Sequence, residues 1–132
     1  MAGIPTEIID LVNAKEATKL LVTASSEGQP HAIVCGSIFV TPDGKAGVGE
    51  ILMKRAAKNL KDTGKAALSI SCGPKAYELI LKNPARADSG PVFEDMKAKM
   101  AQANLPCFAV WTFDVAEIWD EGAGPNAGTK IC

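Results

Sequence analysis

The 132-residue chain can bury a real core, and one domain spanning 1–132 is expected. A net charge of −1 and a pI of about 5.8 exclude the overall field that gathers nucleic acid or anionic membrane. No apolar run approaches the roughly 20 residues that cross a bilayer. Met1-Ala2-Gly3-Ile4-Pro5 lacks the charged and apolar regions of a leader, so the expectation is a cytoplasmic protein.

In chain order, Pro5 and Thr6 signal a short helix to about Asn13, with Ile8, Ile9, Leu11 and Val12 as its apolar side. Ala17–Ser25 reads as a strand closed by the turn-like Ser26-Glu27-Gly28-Gln29. Pro30–Thr41 follows as one long strand, Pro42-Asp43-Gly44 as a hairpin turn, and Lys45–Leu52 as the returning strand. Met53–Thr63 is rich in helix formers, and Gly64 sits where a C-terminal cap is wanted. Ala66–Cys72 and Tyr77–Lys82 are the next strands. Ser89-Gly90-Pro91 opens a helix to about Ala103, with Val92, Phe93, Met96, Met100 and Leu105 as core candidates. Cys107–Trp119 is the last strand, before a glycine-rich tail.

Some six strands with short hairpins and three helices predict a mainly β protein, an antiparallel barrel or curled sheet with peripheral helices. Alternation in 30–41 puts Ala32, Val34, Gly36, Ile38 and Val40 on one face and His31, Ile33, Cys35, Ser37, Phe39 and Thr41 on the other. In the last strand, Trp111 and Phe113 share one face, and Phe108, Val110 and Ile118 the other. Neither strand has a polar face, so both faces should be covered. A second subunit is the simplest cover, which predicts a homodimer.

Few residues offer chemistry. Cys35, Cys72, Cys107 and Cys132 form no C-x-x-C pair, and the single histidine is His31. Structural cysteines are expected, with neither a disulfide framework nor a metal site. His31 has no neighbouring nucleophile or acid and reads as structural; no nucleophile elbow is present. Gly122, Gly124 and Gly128 have the wrong spacing for a dinucleotide fingerprint. No catalytic residue is therefore expected.

The informative stretch runs from Gly47 to Leu60. Lys54 and Arg55 occupy the first turn of the predicted helix, where the macrodipole favours acids. A bound phosphate would reverse that cost, accepting free backbone N–H groups and both side chains. Gly47 and Gly49 leave the preceding strand without bulk, so a flat ligand could approach its backbone. Lys54, Lys58, Lys61 and Lys65 also fall on one helix side, as a wet basic face would. Spacing alone leaves both readings standing.

The order of elements, with Gly28-Gln29-Pro30-His31, Gly49-Glu50, Met53-Lys54-Arg55 and Asn59-Leu60, resembles the FMN-binding split barrels related to pyridoxamine 5′-phosphate oxidase. The tail Gly124-Pro125-Asn126-Ala127-Gly128 looks like the ending of a small subgroup of flavin-nucleotide-binding proteins. The likeness spans about residues 17–72 and 107–130. It implies a six-stranded antiparallel Greek-key split barrel, dimeric, with FMN at the subunit interface. By that similarity Lys54 and Arg55 hold the phosphate. Val34, Cys35, Gly36 and Ser37 line the isoalloxazine, with Val48, Gly49, Glu50 and Met53 on the adjoining strand. Many relatives carry serine or threonine where this chain has Ala56, which removes one hydrogen bond. Asn59 reads as structural, bonding local backbone.

Two uses follow from the resemblance. One is a small FMN-dependent oxidoreductase or electron-transfer protein, with a nicotinamide or a protein as electron donor. The alternative is a non-enzymatic module that binds, stores or senses a flavin or another phosphorylated ligand. Pyridoxamine-phosphate oxidation itself is disfavoured, since Arg86 is the only arginine besides Arg55.

Overall fold

The computed structural model describes residues 3–132; Met1 and Ala2, the start of the segment read above against a leader, lie outside it. Helix α1 (Thr6–Asn13) precedes strands β1 (Thr18–Ala24), β2 (Pro30–Val34), β3 (Ile38–Val40) and β4 (Ala46–Glu50). Helix α2 (Lys54–Asp62), β5 (Ala66–Cys72), β6 (Lys75–Ala87), helix α3 (Pro91–Ala101), β7 (Ala109–Asp120) and the two-residue β8 (Thr129–Lys130) complete the chain. All pairings are antiparallel. The order is β2-β1-β5-β6-β7-β4-β3, with β8 on β7. Among the described residues no helix is long and apolar enough to cross a membrane.

The sheet therefore has eight strands where six are expected. One addition is the short β8. The other arises because 30–41 is not one strand but two, β2 and β3, at opposite ends of the sheet. Cys35-Gly36-Ser37 joins them. Its backbone bonds both sides, with Cys35 N–H donating to Lys19 O at 2.9 Å and Gly49 N–H to Ser37 O at 3.3 Å. The three-residue link thus spans the seam between the two edges of the curled sheet.

The link also changes which side chains face inward. Ile33 and Cys35 pack against the main core before it, while Ile38 and Val40 do so after it. Odd positions give way to even ones, so the strict alternation expected across 30–41 is wrong. Val34, placed on the same face as Ile38, is 76% exposed. A second slip occurs in β7, whose register with β6 shifts between Ile80–Glu117 and Leu81–Val115. That bulge turns Ile118 into the same core as Trp111 and Phe113, not the opposite face.

The helices seat as their patterns dictate. Ile8 and Val12 bury the inner stripe of α1. Ala56, Ala57, Asn59 and Leu60 bury one side of α2, which packs on β1 and β2. Helix α3 starts on Pro91 at its first position and buries Phe93 and Met96. These two join Cys107 and Val110 in a smaller cluster outside the main core. Val92 and Leu105, both core candidates in the sequence, are partly exposed instead.

Candidate functional site

Two neighbouring clefts open at the seam. The larger, about 550 Å³, is lined by His31, Ile33, Glu50, Ile51, Leu52, Met53, Lys54, Arg55, Ala57, Pro106 and Phe108. The smaller, about 300 Å³, is lined by Ile33, Val34, Cys35, Gly36, Ser37, Gly49, Ile51, Leu52, Met53, Met100, Ala103 and Leu105. Ile33, Ile51, Leu52 and Met53 form a wall common to both. Nine of the ten residues singled out from the sequence thus gather on these clefts. Val48 does not; it is fully buried in the main core.

The basic corner sits at the start of α2. Met53 is the N-cap with no side-chain capping bond, and the first turn holds no acid. The first backbone bond into the helix runs from Ala57 N–H to Met53 O, at 2.8 Å. The N–H groups of Lys54, Arg55 and Ala56 precede it, so they find no acceptor within the helix. Lys54 and Arg55 make no ion pair among the described residues. Two cations and a set of free donors therefore face one apolar-walled cleft. Lys58 of the basic stripe is more ordinary, since it is exposed and pairs with Asp62 one turn on. Ala56 has no exposed surface and belongs to the main core, so its side chain offers nothing to the cleft.

The glycines do not serve as the sequence suggests. Across the β3–β4 pair, Phe39 faces Gly47. A Cβ on Gly47 would lie 2.4 Å from the Phe39 ring, so the chain's own aromatic fills that space. At Gly49 a Cβ would meet Ile51 and Met96 at 2.9 and 3.0 Å. Gly47 thus offers no landing for a flat ligand, and only Gly49 reaches a cleft. Asn59 is structural, but its partner is not local backbone: its Nδ2 donates to Thr23 Oγ1 at 3.0 Å, both residues buried.

Glu50 also lines the larger cleft. Arg86 grips its carboxylate with two donors, Nε to Oε1 at 3.0 Å and Nη2 to Oε2 at 3.1 Å. The Trp111 indole N–H adds a bond to Oε1 at 2.8 Å. The Arg86 guanidinium, helped by that indole, holds the Glu50 carboxyl below its ordinary value against the opposing effect of burial. Neither Arg86 nor Trp111 stood out in the sequence as a site residue. Arg86 lies opposite Trp111 in the β6–β7 register, information that only the pairing of distant strands supplies.

The link is likewise tied down. Ser37 Oγ donates to Gly49 O at 3.0 Å and lies 3.1 Å from Cys35 Sγ. All four cysteines are free. Burial pushes the Cys107 thiol up, away from reactivity. No metal-ligand cluster occurs among the described residues. The tail docks at the other end of β7, where Glu121 and Ala123 N–H groups bond Ala76 and Pro74 carbonyls. It therefore stands away from the clefts of its own chain, which border Glu50 and the start of β7.

Comparison with known proteins starts from a shared shape. HupZ of Group A Streptococcus matches with a TM-score of 0.78 at 24% identity, over 95% of this chain and 99% of its own. An FMN-binding protein from Syntrophomonas wolfei matches at 0.77 and 18% identity, over 85% and 82%. The chain has the split-barrel fold. Split barrels of candidate pyridoxamine 5′-phosphate oxidases also match. So does HutZ, the heme storage protein of Vibrio cholerae, at a TM-score of 0.66 and 12% identity, over 91% and 96%. No family model and no curated protein matches the chain. The split-barrel seam is where both clefts of this chain lie.

Proposed function

We propose that this protein binds FMN, with the phosphate on Lys54, Arg55 and the free N–H groups of α2. One observation carries the reading: the uncapped, acid-free start of α2 presents two unpaired cations to an apolar cleft of about 550 Å³. A dianion there gains charge-assisted bonds that no ion pair among the described residues competes for. The apolar wall of Ile33, Ile51, Leu52 and Met53 suits a flat ring system lying beside it. The FMN-binding match supports the choice of ligand. When bound, FMN would supply the redox chemistry.

The use proposed is a small oxidoreductase or electron carrier at a homodimer interface. Leu52, 78% exposed, and Phe108, 56% exposed, flank the larger cleft with Val34 beside the smaller. A second copy over the seam would cover all three. The deciding measurement is the absorbance and fluorescence of natively purified protein given excess FMN. A shifted flavin band and quenched emission are expected; free-flavin spectra would refute the reading. Reduction of the bound flavin by NADH or NADPH then separates electron transfer from a binding or storage module.

A heme reading has one observation of its own. His31, the only histidine, lines the same cleft as Lys54 and Arg55, so a heme there would have an imidazole to hold its iron and two cations for its propionates. Hemin titration distinguishes it, since a Soret shift lost in His31→Ala would favour heme over FMN.

A further inference from the structure

Lys54 and Arg55 stand free of ion pairs on a cleft that a carboxylate, Glu50, also lines. Two cations on the same cleft as a carboxylate would draw it if its side chain were free to turn. Here they do not, because Arg86 takes both carboxylate oxygens and Trp111 takes one of them again. The side chain of Glu50 is 13% exposed and that of Arg86 33% exposed, so the pair is shielded on most sides.

We propose that Arg86 is a positioning residue of the anion site: by holding Glu50 against β7, it keeps Lys54 and Arg55 free for the ligand's phosphate. The inference rests on the anion-binding reading above and adds to it a residue on a strand remote from α2. The geometry supports a holding role over direct ligand contact. Arg86 lines neither cleft, and its fork matches the carboxylate in the bidentate manner that fixes orientation as well as charge. The backbone is held too, since Phe108 N–H donates to Glu50 O at 3.0 Å. With that anchor in place, loss of the guanidinium would leave the side chain on the Trp111 indole alone, one bond in place of three. The charges then available to it are Lys54 and Arg55 on the same cleft and Lys61, whose field already reaches the carboxylate. Neutralising those cations would weaken the site toward a phosphate and leave its apolar wall as it was.

The experiment compares FMN and riboflavin, which differ by the phosphate, on wild type, Arg86→Met, Glu50→Gln and the double variant. Fluorescence titration at low salt gives both affinities, and circular dichroism melts confirm folding. Arg86→Met should lose about tenfold in FMN affinity with riboflavin moved less than about twofold, the effect of one lost phosphate contact. Glu50→Gln is the background against which the double variant is read. The double variant should bind FMN within about threefold of the Glu50→Gln single variant, because no free carboxylate remains to capture the cations. A loss of about tenfold on going from Glu50→Gln to the double variant, the same as from wild type to Arg86→Met, would overturn the inference. If Arg86→Met fails to fold, Arg86→Lys, which keeps the charge but loses the fork, should show a smaller loss in the same direction.

A second arm separates this inference from the flavin reading. Inorganic phosphate is titrated while the amide resonances of Lys54, Arg55 and Ala56 are followed. Weaker phosphate shifts in Arg86→Met than in wild type would uphold Arg86 even if FMN never binds. Equal shifts in the two proteins would overturn it, as would the absence of any shift in wild type.

Discussion

Phe39 lays its ring over Gly47 across the β3–β4 pair, so closely that a Cβ there would come within 2.4 Å of the ring carbon Cζ. The strand is bare of side chain at this point because an aromatic from its neighbour needs the room. Gly47→Ala should therefore destabilise the fold by about 1–3 kcal/mol through overpacking. In a Phe39→Ala background the same change should cost much less, and a double-mutant cycle by denaturant unfolding reads the difference. Equal costs in both backgrounds would show that the ring is not what excludes the methyl.

Arg55→Ala should weaken FMN by about 1.5–3 kcal/mol, the worth of a hydrogen bond to a charged group. The loss should shrink as salt is raised, because the site faces solvent. Titration of FMN at two ionic strengths checks both statements. An unchanged affinity would move the phosphate away from α2.

Acid should destabilise the protein in part through Glu50. Its folded-state pKa lies below the ordinary value of 4.5, so the unfolded chain takes up the proton first. The stabilisation is fully present above that ordinary value and is lost as pH falls through the folded one. Glu50→Gln should lower stability at neutral pH by about 1–3 kcal/mol and flatten the acid side of the stability profile. Some slope should remain, because Asp43 and Asp114 are also held low by bonds from Thr41 and from Asn83 and Lys45. Melts from pH 7 to pH 3 give the comparison.

The elements that could be read from the sequence are those with one buried face. Helix α1 and strand β5 lie where their patterns place them, and α2 differs by a residue at each end, since Ile8 and Val12 or Leu68 and Ile70 mark a single inner side. The stretch 30–41 is apolar on both faces, so alternation there carries no phase, and the change of edge at Gly36 left no mark. Strand β6 runs on to Ala87 although Asn83-Pro84 looks like a stop. A register shift between Lys82 and Ala85 takes up the proline, which has no N–H to give. In the site, the cluster around Lys54 was legible because it breaks a local rule of helix charge. The clamp on Glu50 was not, because Arg86 stands 36 residues away and meets it only through β7.

Two copies should associate through the seam. Leu52→Glu or Phe108→Glu places a charge on an exposed apolar residue, so each variant should fold as the wild type does yet remain monomeric. Light scattering at micromolar concentration is the measurement, with a dimeric wild type expected. A wild type that scatters as a monomer would remove the second subunit from the proposed site.

Asn59→Ala tests what ties α2 to the sheet. The amide of Asn59 donates to the Thr23 hydroxyl, and the two residues are 7% and 2% exposed, so water cannot replace the bond once it is removed. Truncation leaves that hydroxyl without its donor and should cost about 1–3 kcal/mol. Thr23→Val on top of Asn59→Ala removes the stranded group and should recover part of the loss, since an apolar pair needs no partner there. The bond also seats the helix that carries Lys54 and Arg55. If its role extends to the site, Asn59→Ala should weaken FMN more than riboflavin at a temperature where both proteins are fully folded. A loss shared equally by the two ligands would confine Asn59 to stability.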